Sequence, residues 1–181
     1  KFKKIVEGAA VIGVSRRAKL LLIELSSGYY LVVHLKLTGQ LIFNGQFAKH
    51  THLVYYFTDG SYLIHNDLRQ FGFVKVIPRK ELTDFLIKEK FGPEPLEKNF
   101  TLNSFRRLFA PKPRTKIKPL LMSQTFIAGL GNIYSDEVLF YAGIQPVRRA
   151  NTLKPKEIKK IYQGIRKILA KAIKERGSSV D

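Results

Sequence analysis

Residues 129–134, Gly-Leu-Gly-Asn-Ile-Tyr, set two glycines immediately before an asparagine that opens a helix-like run, "NIYSDEVLFYAG". A chain that turns and then enters a helix leaves the first amide N–H groups of that helix without internal partners, and those groups form a ready cradle for a phosphate. Glycine suits such a place because it permits φ > 0 and lets a ligand approach the backbone closely. Asn132 adds a side chain able to cap the helix or to donate to an anion. A helix C-cap followed by an N-cap, with no ligand, gives the same spacing, so the motif alone leaves both readings open. His50 and His52 are close enough in sequence to suggest a metal, but no third ligand type clusters with them, and no metal site is expected. Lys19, in "RRAK" at a strand start, reads on residue type alone as an ordinary solvated lysine.

Charge points to what such a cradle would hold. The 181 residues include 32 Lys and Arg against 14 Asp and Glu, a formal charge of +18, which favours a polyanionic partner, nucleic acid first. An RNA or an anionic membrane surface would be attracted by the same charge. Residues 101–181 carry 17 basic against 5 acidic residues (+12) and residues 1–100 carry 15 against 9 (+6), so the second half is the stronger electrostatic footprint. At 45% hydrophobic content the chain can bury one large core or two small ones. No apolar run approaches the ~20 residues of a membrane span, and no signal-peptide pattern is visible. The absence of cysteine rules out disulfides and thiolate zinc sites within the chain, and an intracellular protein is the expectation.

The elements that must position these residues fall into two groups. From Ile5 to about Ile77, short β-branched and apolar runs alternate with turn signals: "AKLLLIEL" meets "YYLVVHLKL" through Ser26-Ser27-Gly28, and "HLVYYFT" meets "SYLIHND" through Asp59-Gly60, giving two hairpins. The nearly continuous apolar character of "LLLIEL" and "YYLVV" predicts strands covered on both faces. "RKELTDFLIKEK" has helical spacing and "FGPEPLEKNF" is a Pro-rich connector. Four further helices are predicted in "TLNSFRRLFA", "KIKPLLMS", "NIYSDEVLFYAG" and "PKEIKKIYQGIRKILAKAIKE", the last with one apolar stripe at 158, 161, 162, 165, 168, 169, 172 and 173. The expected fold is α+β: an antiparallel β-sandwich over residues 1–78, a connecting helix and Pro-rich linker over 79–100, and a helical domain over 101–181.

Taken together, "SQTFIAGLGNIYSDEVLFYAGIQP" resembles the helix-two-turns-helix signature of the formamidopyrimidine-DNA glycosylase family, bacterial enzymes that excise oxidised purines. "RRAKLLLIEL", "VVHLKLTGQL", "NDLRQFGFVKV", "FGPEPL" and "IKPLLMSQT" resemble that family's segments in the same order and at similar separations, over essentially the whole chain. The Arg-x-Phe-Gly at Arg69–Gly72 favours the purine branch over the pyrimidine branch. The resemblance implies an enzyme that bends duplex DNA, flips out the damaged nucleotide, removes the base and nicks the abasic strand by β-elimination, with an N-terminal proline amine as nucleophile. That proline, its neighbouring glutamate and the family's C-terminal zinc finger have no counterpart in these residues. The expectation is therefore a chain that binds DNA without cleaving it and holds no cofactor of its own. The implied partner is double-stranded DNA bearing an oxidised purine or abasic site, and the implied setting is a monomer at the bacterial nucleoid in the cytoplasm.

Residue by residue, the resemblance makes Lys19 a phosphate contact and proton donor near the reacting sugar. Leu37, Arg69 and Phe71 match the three residues the family inserts into the duplex where the flipped nucleotide was stacked, although the family more often has methionine at the position of Leu37. Their types suit the task, since an apolar wedge and an aromatic face replace stacking and a guanidinium hydrogen-bonds the orphaned base. On residue type alone Phe71 and Leu37 read equally as core. His50 matches a DNA-contacting histidine, and Gly129, Gly131, Asn132 and Tyr134 form the phosphate nest. Lys112 and Arg114 lie nearest to a family run of basic residues that Pro113 interrupts here. Two other classes compete. A non-catalytic module that recognises damaged DNA or abasic sites would keep every one of these residues. An RNA-binding protein would display aromatics on a sheet face, whereas the aromatics here sit mostly in apolar strand runs.

Overall fold

The structure is a computed structural model that describes residues 2–111 and 114–177. It divides into two compact units, Lys1–Phe85 and Leu86–Asp181.

In the first unit, β1 (Val11–Arg17), β2 (Leu20–Leu25), β3 (Tyr29–His34) and β7 (Phe73–Pro78) form an antiparallel sheet in the order β1-β2-β3-β7. A second antiparallel sheet, β4-β6-β5, contains β4 (Gly39–Phe43), β5 (Thr51–Tyr56) and β6 (Tyr62–Asp67). Both expected hairpins are present, closing at Gly28 (φ +80°) and Gly60 (φ +84°), where only glycine takes the left-handed conformation at little cost. A third hairpin was not legible in the sequence: Arg17 pairs with Leu20, so Ala18 (φ +52°) and Lys19 form a two-residue turn between β1 and β2. The continuous apolar run of β2 reflects two covered faces. Ile23 and Leu25 cluster with Leu31 and Val33 on one face, and Leu20, Leu22 and Val32 are buried on the opposite one. Where the strand pattern was expected to begin, residues Phe2–Val6 form a short helix, α1. Phe2 and Val6, one helical turn apart, both pack on the Ile23–Val33 cluster, and that shared face overrides the local strand character.

Helix α2 (Leu82–Lys88) is followed in the second unit by α3 (Leu102–Leu108), α4 (Ile117–Met122), α5 (Asn132–Ala142) and α6 (Pro155–Lys174). Thr101 caps α3 by accepting from the Ser104 N–H at 3.1 Å, and Ser104 Oγ accepts the Thr101 N–H at 2.8 Å in return. Pro155 opens α6, where a missing N–H is harmless, and Ile161 and Ile165 are fully buried. The stripe fades in its last turn, where Ile173 is exposed. The Pro-rich segment read from sequence as a connector packs into this unit. The Gly92 N–H donates to the Gln124 carbonyl at 2.8 Å, the Ala128 N–H donates to the Pro93 carbonyl at 3.0 Å, and Phe100 is buried. A Cβ at Gly92 would lie 2.6 Å from the Phe126 carbonyl, so only glycine admits this approach.

Phe105 is fully buried among the rings of Phe100, Phe109, Phe126 and Tyr162, with centroids 5.2–6.4 Å away. Phe105→Ala is expected to lower unfolding stability by about 3–5 kcal/mol, read by urea denaturation followed by far-ultraviolet circular dichroism. A loss below about 1 kcal/mol would show that this aromatic cluster is not the keystone of the helical unit.

Candidate nucleic-acid interface

Strand β6 ends at Asp67, whose side chain is only 2% exposed. Buried charge must be matched by donors. Thr38 Oγ1 donates to Asp67 Oδ1 at 2.5 Å and the Gly72 N–H donates to Oδ2 at 2.7 Å. The Thr38 hydroxyl also accepts the Arg69 N–H at 3.0 Å. The main chain of Asp67 is engaged as well: its N–H donates to the His50 carbonyl at 3.0 Å, and His52 Nε2 bonds its carbonyl at 2.9 Å. The Thr38 hydroxyl first, and then the Gly72 N–H, hold the Asp67 carboxyl below its usual pKa. A Cβ at Gly72 would sit 2.9 Å from both Asp67 Oδ2 and the His34 carbonyl oxygen, so the loop closes only around glycine. Gln70, at φ +55°, takes the remaining bend.

That loop displays side chains instead of burying them. Phe71 is 55% exposed and Leu37 71%, which removes the core reading of both. The Arg69 guanidinium lies 4.6 Å from the centroid of the Phe71 ring, a cation–π pair facing solvent. Leu37 occupies a tight turn in which the Gly39 N–H donates to the Leu35 carbonyl at 2.9 Å and Lys36 takes φ +54°. Because Leu37 adjoins Thr38, all three predicted wedge residues hang on the Thr38–Asp67 pair.

Lys19 projects from the β1–β2 turn. Partial desolvation of its ammonium, and then the Lys36 charge, lower its pKa. His34 is held low by burial and then by Lys36 and Lys19, and its Nδ1 accepts the Lys36 N–H at 2.9 Å, which places the neutral ring's proton on Nε2. The Lys36 charge thus acts on both Lys19 and His34, and an anion arriving beside them would relieve that crowding of positive charge. His50 stands in the turn before β5, partly exposed, with its carbonyl committed to Asp67. Among the described residues no group of three or more His, Cys, Asp or Glu is arranged to hold a metal.

In the second unit the turns between α4 and α5 are built by Gln124. Its Nε2 donates to the carbonyls of Met122 (2.9 Å) and Leu130 (2.8 Å), and its Oε1 accepts the Gly129 N–H at 2.8 Å. Gly129 takes φ +85°, in the left-handed region open to glycine. Gly131 is extended at φ −122° and serves as the N-cap of α5. Asn132 is correspondingly the first helical residue, with an exposed side chain, so of its two expected roles it does not take that of the helix cap. The first intrahelical bond runs from the Ser135 N–H to the Gly131 carbonyl at 3.0 Å, which leaves the amides of Asn132, Ile133 and Tyr134 at the open end of the helix. Gly143, at φ +70°, closes the other end. Arg114 is exposed two residues before Lys116, and Lys112 lies outside the described residues.

Residues 1–74 match the formamidopyrimidine-DNA glycosylase N-terminal domain, and residues 91–181 match the formamidopyrimidine-DNA glycosylase H2TH domain. The chain belongs to the formamidopyrimidine-DNA glycosylase family. It is 44% identical over 182 residues to the formamidopyrimidine-DNA glycosylase of Pelotomaculum thermopropionicum, covering 99% of this chain and 66% of that protein. It is 40% identical to the enzyme of Heliobacterium modesticaldum, covering 98% and 66%. The chain therefore spans about two thirds of the length of these curated relatives. Among solved structures, the Lactococcus lactis family member non-covalently bound to DNA containing an AP site superposes with a TM-score of 0.91 at 38% identity, covering 99% of this chain and 69% of that one. The same enzyme in complex with FAPY-dG-containing DNA gives 0.91 at 39%, covering 98% and 68%. The antiparallel sheets followed by helices expected from the sequence are the architecture of this family.

Thr38, Asp67 and Gln124 escaped sequence reasoning because each works through bonds to distant or non-helical backbone, which leave no periodic trace. Asp67 also gives a pH prediction. Its folded-state pKa is depressed from 3.8, so its contribution to stability is complete above that value and is lost as pH falls through the lower folded value. The urea midpoint should fall between pH 5 and pH 2 more steeply for the parent than for Asp67→Asn, which has no such group to protonate. Parallel pH profiles would show that the carboxylate contributes nothing through its charge.

Proposed function

We propose that this chain serves base-excision repair, as the DNA-gripping and duplex-opening portion of a glycosylase that removes oxidised purines and nicks the abasic strand by β-elimination. The observation that carries the reading is the solvent-facing Arg69–Phe71 pair, held with Leu37 on a rigid scaffold in a chain of this family. Extruding a nucleotide costs a few kcal/mol of stacking and pairing, roughly what aromatic and apolar side chains entering the gap recover. Phe71 and Leu37 supply that surface, and Arg69 supplies donors to the base left without a partner. Lys19, the open amides at Asn132–Tyr134, His50 and Arg114 meet phosphates, which position the duplex without reading its sequence. Lys19, with a lowered pKa, is also suited to passing a proton near the sugar. The partner in this reading is double-stranded DNA bearing an oxidised purine or an abasic site, bound by a monomer at the bacterial nucleoid.

Three measurements test this. Arg69→Ala/Phe71→Ala should weaken binding to an abasic-site duplex by about tenfold, equivalent to about 1.4 kcal/mol, more than it weakens binding to undamaged duplex. Its melting temperature should be nearly unchanged, because both side chains are exposed. Equal losses on both duplexes would remove the wedge. Lys19→Ala should weaken both duplexes alike and reduce the slope of log affinity against log salt by about one, and an unchanged slope would mean that Lys19 touches no phosphate. Because Lys19 acts on phosphate and protons and not as the attacking amine, borohydride treatment of the chain on an abasic duplex should trap no covalent adduct. A stoichiometric adduct that disappears in Lys19→Ala would overturn that role.

A further inference from the structure

We propose that Thr38 and Asp67 are positioning residues that make Leu37 and the Arg69–Phe71 pair enter a duplex as one rigid body. The inference rests on the wedge reading given above and adds the mechanism by which two separate loops act together. Each loop is folded on itself. The Leu37 turn is closed by the Gly39 N–H on the Leu35 carbonyl, and a Cβ at Gly39 would strike that carbonyl. The Arg69–Phe71 loop is closed by the Gly72 N–H on Asp67 Oδ2.

Neither closure links one loop to the other. That link is made by the Thr38 hydroxyl, which donates to Asp67 Oδ1 at 2.5 Å while accepting the Arg69 N–H at 3.0 Å. One oxygen therefore spends both its donor and an acceptor site across the gap, beside the residue that carries the apolar arm and on the backbone of the residue that carries the cationic arm. The carboxylate that receives its proton is buried, so the alternative of bonding to water is closed to it. Without the link, the loops stay joined at their bases by the Gly39–Asp67 and His34–Phe73 strand pairs, but the tips that carry the two arms lose this tie, and the relative freedom they gain must be surrendered at the moment of insertion. A group used only to stabilise the protein would affect every DNA alike, whereas a positioning group acts where the arms are inserted.

The test compares Thr38→Val, which keeps the shape and removes the hydroxyl, with Thr38→Ser, which restores it. Affinities are measured for abasic-site and undamaged duplexes, each variant is melted, and 2-aminopurine placed opposite the abasic site reports insertion by its fluorescence. Thr38→Val should lose about tenfold in affinity for the abasic duplex and much less for the undamaged one, as expected for one hydrogen bond to a charged group. Its 2-aminopurine signal should fall, and Thr38→Ser should recover both. In the Arg69→Ala/Phe71→Ala background the same change should cost little more, because the arm it positions is gone. Additive losses, equal losses on both duplexes, or no rescue by serine would overturn the proposal. If Arg69→Ala/Phe71→Ala itself loses no more affinity for the abasic duplex than for the undamaged one, the wedge reading fails first and is identified as the failure. Should Thr38→Val not fold, Thr38→Ala carries the same comparison, and loss of fold in both would assign the hydroxyl to stability and overturn the proposal.

Discussion

A carboxylate withdrawn from water has to be surrounded by donors, and at Asp67 that requirement shapes the first unit's exposed surface. The donors available are a threonine hydroxyl from one loop and a backbone amide from another, so satisfying the charge fixes both loops. Gly72 must lack a side chain for its amide to arrive, and Gln70 must adopt an unusual backbone angle for the loop to return. The main-chain groups of Asp67 extend the same organisation to His50 and His52. The apolar and cationic side chains on this frame stay exposed because the frame leaves them no core to enter.

The second unit solves a similar problem without charge. Gln124 closes the turns before α5 with three hydrogen bonds to the main chain, and Gly129 supplies the left-handed residue that those bonds demand. The segment at Gly92 and Pro93 is laid against the same turns by two further backbone bonds. The amides at the head of α5 are therefore presented by a loop whose own polar groups are already engaged. In both units the backbone is shaped first and the groups left exposed are those that this shaping does not use.

Much of this was legible in the sequence, and the reasons are specific. The hairpins at Gly28 and Gly60, the five helices from α2 onward and the buried stripe of α6 follow from periodicity and turn chemistry, which are local. The β1–β2 turn at Ala18-Lys19 carries no glycine or asparagine signal and was missed. Residues Phe2–Val6 look strand-like locally and become a helix because Phe2 and Val6 together meet an apolar cluster. The exposure of Phe71 and Leu37 could not be read from their types, since an apolar residue in a hairpin is core unless the loop geometry says otherwise. Gly129 takes the left-handed bend and Gly131 is extended, a distinction not legible in the sequence, which shows that glycines are present but not which of two neighbours bears the bend. The resemblance to a family supplied roles for these residues, and the structure supplies the bonds that hold several of them in place.

The choice of glutamine at 124 has a consequence of its own. The peptide dipoles of α5 converge on its open amides and project a positive potential outward, which is what would draw in a phosphate from solution. A carboxylate in place of Gln124, folded into the same turns, would set a negative charge behind those amides and cancel part of that potential where it is needed. An amide closes the loop while adding no net charge. The turn is thus electrically transparent: it shapes the backbone and leaves the field of the helix intact.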